Sequence, residues 1–185
     1  SALIANITPS EAHCGQAFER FTDEGPMALL PLPENRCALV WTRTGADTQR
    51  LAALDDRSFL SELQNVFGYR LGTLQQVGAR HVYPLNLIEA EEQVRSHLVV
   101  LGNAAHSLHP IAGQGFNLSL RDADALAHTL LTSDTLPGDL PTLQRYREQQ
   151  RLDQQLTVGF SDQVTRLFGS NQPLIAAGRN IGLLG

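Results

Sequence analysis

Residues 102–117, Gly-Asn-Ala-Ala-His-Ser-Leu-His-Pro-Ile-Ala-Gly-Gln-Gly-Phe-Asn, constrain this chain more than any other segment. The apolar run Leu98-Val99-Val100-Leu101 precedes them, and a helical pattern over 115–131 follows. A buried strand, a glycine-bearing loop and a helix start make a site for an electron-rich ligand. The first helical N–H groups lack internal partners, and the helix dipole favours negative charge there. Gly113 and Gly115 permit positive φ and close approach of a ligand to the backbone. Pro110 fixes the chain before the turn and biases His109 toward an extended conformation. Asn103 falls at the carboxyl end of the strand, where ligands collect in open α/β sheets, and its amide can bond a ligand hydroxyl. The N–H groups of Gly115, Phe116 and Asn117 point outward from the helix start. A glycine cap with no ligand is the competing reading. Two Asn, two His, one Pro and three Gly packed into one string are hard to explain by capping alone.

The bulk of the chain narrows the options. At 185 residues it makes one domain or slightly more, and 42% apolar with 18% charged residues describes a folded chain with a real core. The net charge of -5 argues against nucleic acid, whose phosphates require clustered cations. All 14 Lys-plus-Arg positions are Arg, which removes Schiff-base lysines and a P-loop lysine. Cys14 and Cys37 match no metal or redox spacing; a reduced cytoplasmic protein is the simplest reading, with a single disulfide as the alternative. No apolar run approaches the ~20 residues of a membrane span. Ser1 to Ile7 carries no basic leader and reads as the middle of a strand, so a fragment is expected.

Met27 to Leu32 and Arg36 to Thr42 read as an antiparallel hairpin around Pro33-Glu34-Asn35. Residues 43–50 read as a polar loop. A helix over 57–67, capped by Asp56 or Ser58, faces inward with Phe59, Leu60, Leu63, Val66 and Phe67, and Gly68 and Gly72 close it. A strand is expected over 78–87, a charged turn or short helix over 89–95, and a buried strand over 97–101. The helix over 115–131 directs Phe116, Leu118, Leu120, Ala123, Leu126, Ala127, Leu130 and Leu131 inward. Helices follow over 143–160, 162–168 and 173–185. Strands, then one strand–loop–helix unit, then helices define an α+β chain with an α/β-like unit. One such unit cannot build a doubly wound sheet, so the helix over 115–131 is expected to cover strands this chain does not supply.

The string Asn103-Ala-Ala-His106, Pro110-x-x-Gly113-Gln114-Gly115-x-Asn117, Asp122-Ala123 and Leu126-Ala127 resembles the second flavin-binding motif of the para-hydroxybenzoate-hydroxylase-like flavin monooxygenases. Residues 109–118 are similar to the signature of their ubiquinone-biosynthesis branch, best to the group typified by 2-octaprenyl-6-methoxyphenol hydroxylase. Leu29 to Pro33, Leu39 to Thr42 and Tyr83 to Leu85 resemble that branch's substrate-domain sheet. Asn103 stands where most of the broad family has Asp, as in the ubiquinone branch, and Ser119 stands where Gly is usual.

The resemblance implies part of an FAD/NAD(P)-binding α/β fold: an antiparallel substrate-domain sheet over 1–95, then the C-terminal part of an FAD-binding domain with trailing helices over 96–185. The family's N-terminal Gly-x-Gly-x-x-Gly cradle has no counterpart here, so the dinucleotide-binding half is expected to be absent and this piece to bind FAD weakly or not at all. The implied activity is NAD(P)H- and O₂-dependent hydroxylation of an aromatic ring on a polyprenyl phenol, with FAD as cofactor. Cofactor contacts carry over to Asn103 at the ribose, Pro110 beside the isoalloxazine, and Gly113, Gln114, Gly115, Phe116 and Asn117 around the flavin ring. Reduced flavin gathers negative charge at the edge that the Phe116 and Asn117 N–H groups would face. Tyr83 is the substrate-pocket candidate; no catalytic side chain and no metal are implied.

Other features admit two readings. His106 fits either a hydrogen-bonded loop residue or a flavin neighbour, and Arg121 with Asp122 reads as a structural pair. The apolar residues between Leu152 and Leu184 fit either a packed helix pair or a face toward membrane or partner. The expected location is cytoplasmic, with peripheral attachment to the inner membrane face or contact with ubiquinone-pathway proteins as the extension. Open sheet edges also make a homo-oligomer an expectation. The alternative functions are a non-catalytic lipid- or partner-binding domain derived from the family, and a flavin hydroxylase for a soluble phenol.

Overall fold

The computed structural model describes residues 1–22, 24–108 and 113–168, with 162 and 164–168 described by backbone alone. The described residues divide into two compact units: Ser1–Pro84, joined by residues 165–168, and Leu85–Val164.

The first unit is built on strands β1 (Ala2–Pro9), β2 (Phe18–Thr22), β3 (Gly25–Leu32) and β4 (Arg36–Thr42), helices α1 (Gly45–Ala53) and α2 (Asp56–Phe67), and strands β5 (Leu74–Val77) and β6 (His81–Tyr83). The strands form an antiparallel sheet in the order β2-β3-β4-β1-β5, with β6 also on β1. The β3–β4 hairpin pairs Met27 with Trp41 and Leu32 with Arg36, as the alternation of apolar residues requires. Its turn places Glu34 and Asn35 at positive φ. One sheet face sends Leu3, Ile7, Met27, Leu29, Leu39 and Trp41 into a core closed by Leu51, Phe59, Leu63 and Phe67. Trp41 meets Phe59 edge-on, ring centroids 6.0 Å apart, so it is a core residue.

Helix α1 lies where a polar loop is expected from sequence. Thr44 caps it, accepting from the Asp47 N–H, while Thr48 and Leu51 turn inward. Only one large apolar residue marks that buried face, too weak a period to read. Helix α2 is capped by Asp55, not by Asp56 or Ser58; its carboxylate accepts from the Ser58 N–H at 3.0 Å. Phe59, Leu63 and Phe67 are buried, and Gly68 ends the helix at φ 84°. Gln64 is buried beside that end. Its amide donates to the carbonyls of Gly68 and Gly72 and its oxygen accepts from Leu74 N–H at 2.8 Å, satisfying backbone groups at the helix exit. The strand expected over 78–87 is confined to the three residues of β6, and β5 precedes it at positions where no strand is expected from sequence.

The second unit contains short strands β7 (Ile88–Glu89), β8 (Val94–Arg95) and β9 (Leu98–Val99), a single 3-10 turn (Gly102–Ala104), strand β10 (His106–Ser107), and helices α3 (Gln114–Leu131) and α4 (Leu140–Phe168). β10 pairs with β7 and β8 with β9. The segment over 89–95, expected as a charged turn or short helix, forms no helix: an irregular turn joins the end of β7 to β8. One sequence expectation is corrected here. The apolar run 98–101 is a two-residue ribbon strand with Leu98 half exposed, not a buried strand, because β8 alone pairs with it among the described residues. α4 also runs without a break where two helices are expected; Gly159 is accommodated inside it. The helix expected over 173–185 lies outside the described residues.

Candidate functional site

The start of α3 forms in the second unit as the sequence suggests. Gly113 is the N-cap residue, at φ 62° and ψ 22°, and no side chain caps the helix. Gly115 has ordinary helical geometry, so the two glycines have different causes. Gly113 supplies a left-handed turn. Gly115 is not required by its backbone, and among the described residues a Cβ there would meet nothing nearer than the Leu108 Cβ at 3.9 Å, an ordinary contact. No described residue gives a reason for a glycine at 115; a planar ligand lying against the helix start would give one. Asn103, Phe116 and Asn117 are exposed, and Gln114 is half-buried. The turn that carries Asn103 packs against α3, with Gly102 opposite the Ser119 hydroxyl, 3.8 Å from where a Cβ would stand. Ser119 donates back to the Gly115 carbonyl at 2.9 Å. Asn103 and the residues from Gly113 to Asn117 are therefore brought together; Pro110 lies outside the described residues. Tyr83 stands on β6 of the first unit, half exposed.

The buried face of α3 departs from the sequence reading. Leu118, Asp122 and Thr129 are buried, whereas Phe116, Leu120, Ala123, Ala127 and Leu131 are exposed. Apolarity alone picks the wrong side, because the inward stripe contains polar groups that are satisfied inside. Asp122 is fully buried. It accepts from His106 Nε2 at 2.6 Å and from Gln154 Nε2 at 3.1 Å to each oxygen. A carboxylate can only accept, so His106 donates through Nε2. His106 is 1% exposed, and its Nδ1 has no partner among the described residues. Tyr146 is buried nearby; burial first, and the Asp122 charge second, push its phenol well above the ordinary range. Arg121 and Asp122 are not a pair: Arg121 turns outward to Asp153 at 2.7 Å and to the Thr157 hydroxyl at 3.1 Å, both on α4. The signal for the buried set was Asp122 itself, an acidic residue in phase with Leu118 and Thr129.

A glycine turn opening an uncapped helix, two exposed amide side chains beside it and a buried polar network beneath it fit an anionic, planar cofactor. The class follows: the chain belongs to the FAD binding domain family, whose sequence pattern it matches over residues 4–161. It is 37% identical, over 99% of its length, to "Ubiquinone hydroxylase UbiL" of Rhodospirillum rubrum, of which it spans 43%. It is 33% identical over its full length to "3-demethoxyubiquinol 3-hydroxylase" of Escherichia coli, of which it spans 48%. Its fold superposes on PqsL, a probable FAD-dependent monooxygenase from Pseudomonas aeruginosa, with a TM-score of 0.68 at 22% identity over 91% of this chain and 48% of that one. The chain thus spans less than half the length of these relatives. Mixed helices and an antiparallel sheet agree with that fold.

Proposed function

We propose that this chain forms part of an FAD-dependent aromatic-ring hydroxylase of ubiquinone biosynthesis. The observation that carries the reading is Gly115, which no described residue requires to be glycine, at a helix start without a side-chain cap beside the turn of Asn103. The identity to ubiquinone-pathway hydroxylases supports the pathway. Residues that would hold FAD are Asn103 on the ribose side and Gly113, Gln114, Gly115, Phe116 and Asn117 along the flavin ring; Pro110 would border the ring. Bound FAD supplies the redox chemistry that joins NAD(P)H and O₂ to hydroxylation. The N–H groups at the start of α3 offer fixed donors where charge collects on the ring, which stabilises without reorganisation. Tyr83 is proposed to line the pocket for the phenol ring.

The exposed apolar side of α3, with Phe116, Leu120 and Leu131 in solvent, is proposed to be covered by the dinucleotide-binding half that the longer relatives have room for. The division into a substrate sheet (1–95) and part of the FAD domain (96–185) belongs to the same reading. No described helix is long and apolar enough to cross a membrane. Peripheral attachment is proposed through Leu152, Leu156 and Phe160, which lie exposed along α4. The test is expression of the full-length gene product. FAD-loaded protein that restores ubiquinone in a hydroxylase-deficient cell is expected. Colourless protein that fails to restore it overturns the reading.

A further inference from the structure

The buried His106–Asp122–Gln154 set does no chemistry in the reading above, yet it is the most fully desolvated polar cluster described. His106 belongs to β10, three residues after Asn103. Asp122 belongs to α3, two turns beyond Gly115, and Gln154 to α4. One carboxylate thus ties together the segment that presents Asn103, the helix that presents Gly115 to Asn117, and the helix behind both. Asp122 accepts three donations at 2.6, 3.1 and 3.1 Å with neither its own side chain nor that of His106 in water. Bonds of this kind, short and to a charge, are directional and stiff.

A core contact needed only for stability has no cause to be polar. Well-packed apolar residues hold helices together as well or better, and polar sets of this kind are best attested where one register must be selected. Here the register is that of Asn103 against the start of α3. Ala105 is fixed on the other side as well, its carbonyl accepting from Ala90 N–H at 2.8 Å and its N–H donating to Gly102 at 2.9 Å. His106 follows directly, so its ring pins a segment whose backbone is already clamped.

We infer that His106 and Asp122 are positioning residues for the cofactor, setting the distance between Asn103 and the α3 start through the Nε2–carboxylate bond. The inference rests on the FAD reading for the identity of the ligand, and on the coordinates for the coupling. It makes Asp122→Asn the informative change: the shape is kept, but the strongest acceptor is lost and an amide N–H₂ faces Gln154's amide.

The experiment uses the full-length gene product with three variants: Asp122→Asn, His106→Asn, and Arg121→Met as a control that cuts an exposed link between the same two helices. FAD affinity is read by titration, and amide exchange of Ala90 and Ala105 is read in the cofactor-free protein. In Asp122→Asn and His106→Asn, FAD binding is expected to weaken about tenfold to a hundredfold, with exchange at Ala105 accelerated by a similar factor. Arg121→Met is expected to change neither by more than about twofold. If Asp122→Asn does not fold, Gln154→Met removes two donations while leaving the His106 bond, and a loss of about threefold to tenfold is expected. Unchanged Ala105 exchange in the folded variants overturns the inference whatever FAD does. Accelerated exchange in the variants, with a parent that binds no FAD, sinks the FAD reading and leaves the coupling standing. Accelerated exchange with FAD affinity held within twofold shows the set to be structural only and overturns its positioning role.

Discussion

Replacing Gly115 by Ala separates the needs of the chain from the needs of a ligand. Among the described residues the new methyl meets the Leu108 Cβ alone, at 3.9 Å, and the backbone is already helical. Glycine in a helix costs about 0.5–1 kcal/mol against alanine, so cofactor-free protein is expected to gain up to that amount. For a unit the size of Leu85–Val164 that is a rise in melting temperature of up to about 4–8 °C. With FAD the sign reverses. A methyl between the flavin ring and the helix start pushes the ring off its donors, and the loss is expected to be at least about 1.4 kcal/mol, or tenfold in affinity. The assays are calorimetry without FAD and fluorescence titration with it. A variant destabilised without FAD would refute the expected gain. A variant that binds FAD like the parent would refute the close approach. Gly113→Asn is the companion: Asn tolerates φ near 62°, and no described atom lies within 4 Å of a Cβ there, so stability is expected to be nearly kept while FAD binding falls.

Two further outcomes follow from buried polar groups. Tyr146 carries a buried hydroxyl without a partner among the described residues, so Tyr146→Phe is expected to stabilise the protein at neutral pH by about 1 kcal/mol in urea unfolding. Because burial raises its folded-state pKa above the ordinary value of 10.0, its share of stability is complete below pH 10 and is lost as pH rises beyond; the variant flattens that alkaline loss, and an unchanged slope would contradict it. Gln64→Leu is expected to cost about 1–3 kcal/mol by leaving the Gly68 and Gly72 carbonyls and the Leu74 N–H unpaired, measured by the same unfolding.

The elements that sequence made legible are those where one physical signal dominates. The β3–β4 hairpin has alternating apolar residues around a turn, α2 has an apolar stripe between Asp55 and Gly68, and the 102–117 string joins turn chemistry to helix chemistry. Elements governed by competing signals were misread. α1 hides behind a polar composition because Thr48 shares its inner face with a single large aliphatic residue, Leu51. Residues 98–101 look like a central strand because they are uniformly apolar, yet among the described residues β8 alone pairs with them. On α3 Leu118 is buried as its apolarity suggests, but Phe116, Leu120 and Leu131 lie outside and Asp122 inside, since a charge with two donor groups is stable where an unpaired one is not. His106 had two open readings, and only three-dimensional proximity to Asp122 gives it a partner.

Hydrogen exchange on the full-length gene product, with and without FAD, tests the central claim most directly. FAD is expected to bind and to slow exchange most at Asn103 and at the amides from Gln114 to Asn117, with little change along the far end of α3 near Thr129. Protein that takes up no FAD, or FAD-dependent protection that leaves those amides untouched, would contradict it.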